Sequence, residues 1–212
     1  MYIDKSIREY VKETASGEPI PGGGSVSALA ASLGAALTSM VYNLTIDKKI
    51  YKELEEDQRS EMDANFEEIK KSIEKLNYFV DEDTKAFDDV MKAFKMPKET
   101  DEEKKKRTDA IQAGYKKALE LPLECAKECK KVLELQETFA NNGNVHAITD
   151  VGVGALLAYT GLEGSLLNVT INLKSIKDDA YRTQKEREVE EVLSTGKALK
   201  EKLMEKVYSR LK

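Results

Sequence analysis

Cysteine and histidine are scarce in this chain, which has two cysteines and one histidine among 212 residues. Cys125 and Cys129 are spaced by about one helical turn, where a disulfide would strain an intact helix. We therefore expect two reduced thiols, as in cytosolic proteins. Even with His146, cysteine and histidine cannot supply the four ligands of a standard zinc site. We expect neither a metal nor another cofactor.

The chain also lacks an excess of basic residues, since 34 Lys and Arg stand against 39 Asp and Glu, for a formal net charge of -5. Nucleic-acid binding needs a basic face, so no nucleic-acid partner is expected. The first residues lack the basic region and apolar core of a secretory signal, which favours the cytoplasm.

One long uncharged run, from Val26 to Ile46, is long enough to span a bilayer. Its many Ala, Ser and Gly residues are more typical of a buried helix that neighbouring helices approach closely. We therefore expect this run inside the protein and expect no membrane partner.

Alternating apolar and polar runs separated by tight turns, the pattern of β-hairpins, are absent as well. Apolar residues recur instead at spacings of three and four, which predicts an all-α protein. We expect one domain over residues 1–212, a bundle of about five or six helices that includes a long amphipathic helix and two buried helices rich in Ala and Gly. The predicted helices cover residues 4–14, 26–46, 53–95, 99–139 with a bend near Pro122, 147–176, and 178 onward.

Three consecutive glycines directly precede the first buried helix, in the segment Pro21, Gly22, Gly23, Gly24 and Ser25. Bare backbone N–H groups at a helix N-terminus can hold an anion. The spacing matches neither a dinucleotide fingerprint nor a Walker loop. The segment therefore predicts a binding site of another kind.

Asp83 interrupts an apolar stripe on the predicted long helix. The stripe alternates spacings of four and three through Ile69, Ile73, Leu76, Val80, Asp83, Phe87, Val90 and Phe94. A carboxylate at a core position must be partnered, shifted to a higher pKa or directed into a polar cavity. The alternative is a helix that curves so that Asp83 reaches solvent, and the adjacent Asp81 and Glu82 fit a solvated acidic patch.

Polar residues also share one face of the second buried helix, and they lie within a sector of about 100°. The members of this face are Asp150, Gly154, Leu157, Gly161, Ser165, Asn168 and Asn172. Such a face is either a close helix contact or the floor of a ligand pocket, and the pattern alone leaves both open.

These motifs, in their order and spacing, resemble the formiminotetrahydrofolate cyclodeaminase and methenyltetrahydrofolate cyclohydrolase family over nearly the whole chain. The matching positions are Pro21 to Val26, Leu44-Thr45, Asp83 to Phe87, Met96 to Thr100, Arg107, Pro122, Gly143-Asn144, Asp150, Asn168-Val169 and Asn172-Leu173. The chain departs from the family pattern at His146, where an asparagine is usual, and at Thr149, where a serine is usual.

The resemblance implies an all-helical homodimer that acts on a folate carrying a one-carbon unit, with the folate as its small-molecule partner. It implies catalytic roles for Asp83 or Asp150 as general base. Asn144, Asn168 and Asn172 would orient the substrate, the glycine segment would hold a polar part of the folate, and Lys98 and Arg107 would bind its glutamate tail.

Two reactions remain open at this point. The cyclohydrolase adds water to the methenyl carbon, whereas the cyclodeaminase passes through a tetrahedral carbon that bears an amino group. Because no formiminotransferase domain is fused to this sequence, we favour the cyclohydrolase. A non-catalytic helical dimer is the alternative from another class, in which the glycines serve packing alone.

Overall fold

The computed structural model describes all residues, Met1–Lys212, and contains helices but no strand. The all-α prediction is confirmed, but the helix number was too low, because seven helices are longer than one turn. The helices are α1 (Ile7–Thr14), α2 (Gly23–Asn43), α3 (Lys49–Lys52), α4 (Glu56–Glu82), α5 (Asp88–Phe94), α6 (Asp101–Asn142), α7 (Ile148–Leu173) and α8 (Asp179–Arg210).

The two helices rich in small residues, α2 and α7, form an antiparallel pair at the centre of the bundle. The pair packs against α4, α6 and α8. Glycine permits the close approach, since a Cβ on Gly34 would lie 2.6 Å from the Gly154 carbonyl oxygen and one on Gly161 would lie 2.7 Å from that of Ser27. Of the two interpretations that the sequence left open, a close helix contact or a pocket floor, these glycines therefore form the close helix contact.

By length and composition alone, α2 and the segment that includes α7 could cross a membrane, but half or more of the most apolar stretch of each is buried inside the protein. The exposed residues of the two helices, together with Leu44 directly after α2, are here called the α2/α7 face. Its large apolar residues, all more than a third exposed, are Val26, Leu33, Met40, Leu44, Val153, Leu156, Leu167 and Ile171.

The amphipathic helix predicted over residues 53–95 is not continuous. It ends at Glu82, a 3-10 turn spans Asp83–Lys85, and α5 follows. The Thr84 hydroxyl donates to the Asp81 carbonyl oxygen at 2.6 Å and so competes with the helical pattern. Beyond the break the predicted stripe fails in part, because Phe87 and Phe94 are 40% and 43% exposed.

Helix α6 is the longest element, with 42 residues, and it includes Pro122. It begins at a capping box formed by Thr100 and Glu103. Proline has no N–H to donate to the carbonyl four residues earlier, so Pro122 weakens the helix locally. This weak point faces the end of α4, where Asp83 lies.

Candidate active site

The Asp83 carboxylate is seated on the first turn of α2. The Ser25 backbone N–H donates to Asp83 Oδ2 at 2.9 Å. Gly24 provides the space for the carboxylate, because a Cβ at that position would lie 2.6 Å from Oδ2 and closer still to Cγ and Oδ1. At this point the helix N-terminus that follows the glycines therefore binds a carboxylate of the protein itself, Asp83.

Two hydroxyl groups, those of Ser25 and Tyr10, form hydrogen bonds next to the Asp83 carboxylate. The Ser25 hydroxyl donates to the Val80 carbonyl oxygen at 2.8 Å, and it lies 2.9 Å from the Tyr10 hydroxyl. Because the Ser25 hydrogen is used on Val80, Tyr10 donates to Ser25. Three helices, α1, α2 and α4, are thereby joined directly beneath Asp83.

The environment of Asp83 disfavours its charged form. Burial raises the pKa of Asp83 above its usual value of 3.8, and the hydrogen bond from the Ser25 N–H opposes that shift only in part. A carboxylate with a raised pKa can exchange protons closer to neutral pH. Asp83 is half-buried, hydrogen-bonded to the Ser25 N–H and shifted to a higher pKa, as expected for a carboxylate at this position of the stripe.

A second carboxylate, Asp81, is buried two residues earlier, and sequence reasoning missed it. Its Oδ1 accepts a hydrogen bond from the Tyr2 backbone N–H, while Oδ2 has no partner. The acidic run Asp81-Glu82 suggested a solvated patch, but Asp81 is only 6% exposed. Its position next to Val80 in the stripe gave no signal of burial.

A small cavity lies between Asp83 and the middle of α6 and α7. Its volume is about 10 Å³. It is lined by Gly24, Phe79, Asp83, Leu121, Pro122, Cys125 and Ser165. The Ser165 hydroxyl is buried there and has no hydrogen-bond partner.

Phe79 and Leu121 line both this small cavity and an adjoining larger one of about 560 Å³. Four lysines line the larger cavity, together with five carboxylates that pair with several of them. The lysines are Lys75, Lys85, Lys92 and Lys117. On the other side of α2, an apolar groove of about 480 Å³ runs along α1 between Tyr10 and Val26.

Several residues predicted for the site lie beside Asp83. Gly22 is the N-cap of α2, Pro21 is buried next to it, and Gly23 and Gly24 open the helix. A Cβ on Gly23 would lie 3.7 Å from the Asn168 side-chain nitrogen, so Asn168 belongs to the same end of the molecule. That side chain donates to the Gly164 carbonyl oxygen at 2.9 Å, and half-buried Asn172 follows one turn later.

Asn144 and Asp150 lie at the opposite end of the α2–α7 pair. The Asn144 backbone N–H donates to the Thr45 hydroxyl, and its side chain donates to the Leu44 carbonyl oxygen, at the C-terminal end of α2. Asp150 is separated from Ser165 by about 22 Å along α7. Within one chain, Asp150 and Asn144 therefore lie apart from Asp83, and the catalytic role expected of Asp150 stays a prediction.

Lys98 and Arg107 are also remote from Asp83 in the chain. Arg107 lies about 22 Å along α6 from Pro122. Its guanidinium donates to the Phe94 carbonyl oxygen and stacks over the Phe94 ring at 5.6 Å. Lys98 is exposed in the loop before α6. These two cations secure or flank the α5–α6 connection and do not line the cavities beside Asp83.

The arrangement supports acid–base chemistry. A partly desolvated carboxylate lies against backbone N–H and hydroxyl groups. No group of three or more His, Cys, Asp or Glu side chains is close enough to hold a metal ion. Cys125 and Cys129 are both free and buried, and burial raises the pKa of the Cys129 thiol.

Comparison with known proteins gives consistent matches. The family described as formiminotransferase-cyclodeaminase matches residues 6–191. A methenyltetrahydrofolate cyclohydrolase of Methylorubrum extorquens is 39% identical over 208 residues, which is 98% of each chain. The formimidoyltransferase-cyclodeaminase of Rattus norvegicus is 34% identical over 92% of this chain, which spans only 35% of that protein.

The fold has a counterpart among solved structures. The formiminotetrahydrofolate cyclodeaminase of Thermotoga maritima superposes with a TM-score of 0.85 over 99% of this chain and 98% of that one, at 27% identity. The sequence matches and the superposition cover the helices that seat Asp83. The chain therefore belongs to the formiminotransferase-cyclodeaminase family.

Proposed function

We propose that this protein is a methenyltetrahydrofolate cyclohydrolase, which hydrolyses 5,10-methenyltetrahydrofolate to 10-formyltetrahydrofolate without a cofactor. The observation that carries the proposal is the position of Asp83, a partly desolvated carboxylate beside a small cavity. The near full-length match to a cyclohydrolase of Methylorubrum extorquens supports this reaction.

The chemistry requires one group that takes a proton and later returns it. The substrate carbon bridges two nitrogens as a cationic amidinium. Asp83 removes a proton from water as the water oxygen bonds to that carbon, and the C=N electron pair moves to nitrogen. The protonated Asp83 then donates to N5 as the C–N5 bond breaks and the hydroxyl proton leaves to solvent. One proton is released overall.

The substrate is proposed to occupy the cavity of about 560 Å³, a volume typical of ligand sites. Phe79 and Leu121 line both this cavity and the small one beside Asp83, so a ring placed there lies next to the carboxylate. Lysines such as Lys85 and Lys117 would bind the glutamate tail. We therefore propose these lysines, in place of Lys98 and Arg107, as the residues that bind the tail.

We further propose a homodimer formed through the α2/α7 face. Eight large apolar side chains exposed on one surface of a single chain form a patch typical of a subunit interface. With a two-fold axis perpendicular to the helices, the Asp150 end of one chain meets the Asp83 end of its partner. The residues that one chain separates by about 22 Å along α7 would then share a site.

A second candidate is cyclodeamination of 5-formiminotetrahydrofolate, favoured by the likeness to the Thermotoga maritima cyclodeaminase. The same carboxylate would serve it, because the tetrahedral intermediate differs by an amino group in place of a hydroxyl. The reduced thiols are in keeping with a cytoplasmic location for either reaction.

The deciding assay follows the near-ultraviolet absorbance of 5,10-methenyltetrahydrofolate in a buffer that keeps spontaneous hydrolysis slow. We expect the protein to accelerate its loss, and Asp83→Asn to lower kcat by about a hundredfold or more with the fold intact. Ammonia release from the formimino substrate without accelerated hydrolysis would establish the second candidate. Inactivity toward both, with a higher Tm for Asp83→Leu, would establish the non-catalytic dimer.

A further inference from the structure

The buried hydroxyl of Ser165 makes no hydrogen bond within the fold. Ser165 is 1% exposed, and its Oγ has no hydrogen-bond partner, although a helical serine ordinarily bonds the carbonyl one turn earlier. Other serines on the central helices do find partners, such as Ser32, which donates to Asn77 at 2.6 Å. An unpartnered buried hydroxyl is costly, so its retention calls for a ligand.

The cavity in front of Ser165 has room for one molecule of water. Its volume of about 10 Å³ is near the smallest that accommodates a water molecule. Ser165 and Asp83 are the polar side chains among its lining residues besides the Cys125 thiol, and Phe79, Leu121 and Pro122 supply apolar walls. A water there can donate one hydrogen to the Asp83 carboxylate and the other to Ser165 Oγ.

We propose that Ser165 and Asp83 together hold the water that adds to the substrate carbon, which makes Ser165 a further catalytic residue of this site. This inference rests on the cyclohydrolase function proposed above. With both hydrogens engaged, a lone pair of the water oxygen is left to face a substrate in the adjoining cavity, which shares Phe79 and Leu121 with the small one. The bond changes are those given above, and Ser165 keeps its own proton throughout.

The test compares Ser165→Ala with Ser32→Ala, since both remove a buried helical hydroxyl. We expect Ser165→Ala to lower kcat about tenfold with little change in KM, because one hydrogen bond to the water is lost and none to the substrate. Its Tm should stay level or rise, because the wild-type hydroxyl has no protein partner. Ser32→Ala should lower Tm and leave kcat unchanged.

A crystal structure of the wild-type protein at high resolution provides a second, independent test of the bound water. We expect a water within about 3.2 Å of both Ser165 Oγ and an Asp83 carboxylate oxygen. No water at this position, or wild-type kcat in Ser165→Ala, would overturn the inference while leaving the cyclohydrolase intact. Failure of the wild-type protein to accelerate hydrolysis would instead overturn the proposed function.

Discussion

Replacing Gly24 by alanine should displace the Asp83 carboxylate, and so lower the rate of hydrolysis, while changing the stability of the fold little. The new Cβ would lie 2.6 Å from Oδ2, and nearer to the other two carboxyl atoms, whereas ordinary contacts begin at 3.4 Å. The carboxylate must therefore shift by about 1 Å or more, and it loses its alignment with the Ser25 N–H. A displacement of that size at a reacting group costs about a hundredfold in rate.

The same substitution should cost little stability. Alanine is favoured over glycine inside a helix by up to about 1 kcal/mol, which offsets part of the strain of moving one partly exposed carboxylate. Gly23→Ala provides the comparison for stability, because its Cβ would meet Asn168 at an ordinary 3.7 Å. We expect Gly23→Ala to have a Tm at or above that of the wild type and Gly24→Ala to lie within a few degrees of it.

The assay is hydrolysis of 5,10-methenyltetrahydrofolate, measured as kcat and KM beside Tm. Gly17→Ala controls for activity, because a Cβ there has nothing within 4 Å. A Gly24→Ala protein that is folded and retains more than about a tenth of the wild-type kcat would refute the argument that the position of Asp83 controls the rate.

The remaining predictions address pH, the dimer and the substrate tail. Because burial raises the pKa of Asp83, the folded state holds a proton that the unfolded state has released between the two pKa values, so the wild type loses stability as pH rises through that window. Asp83→Asn should therefore gain free energy of unfolding relative to the wild type from about pH 4 upward, and an equal difference at pH 3 and pH 7 in denaturant titrations would contradict this. Mixing Asp83→Asn with Asp150→Asn after joint refolding should restore about a quarter of wild-type activity if sites are shared across the dimer, since half of the random pairs carry one intact site; no recovery would show that Asp150 does not complete the partner's site. Leu156→Glu should produce monomers in light scattering, whereas Tyr208→Glu, at a residue 60% exposed on α8, should not. Lys85→Ala combined with Lys117→Ala should raise KM more for a polyglutamylated substrate than for the monoglutamate, and Arg107→Ala should not; equal KM values would remove the lysines from the tail site.

Those parts of the fold that depend on composition and periodicity could be read from the sequence. The small residues of α2 and α7 correctly predicted the buried pair, and the interrupted stripe singled out Asp83. The long-helix prediction failed at Asp83 because a tertiary hydrogen bond from Ser25 and a side-chain bond from Thr84 end the helix there. No pattern within the helix itself encodes those contacts.

The site was predicted in part for the same reason. Gly24 and Asn168, which the motif and the helix face singled out, lie at the same end of the molecule as Asp83. Asp150 lies at the other end of the helix pair, which the sequence did not reveal, because a shared helical face does not specify which end of the helix meets another element. Asp81 was missed because its burial comes from the N-terminal segment, which no local pattern connects to it. Ser165 was placed on the polar face of α7, but its position beside Asp83 depends on the packing of α6, which that face does not specify.

Because Asp83 is the proposed catalytic base, the return of activity during refolding should report when its environment forms. Ser25 and Asp83 are 58 positions apart, so the carboxylate acquires its environment only when α2 docks against α4. Helices can form within microseconds, well before distant segments find one another. During refolding, far-ultraviolet circular dichroism should therefore recover first, and the return of hydrolysis should mark the later moment at which the first turn of α2 closes over the end of α4.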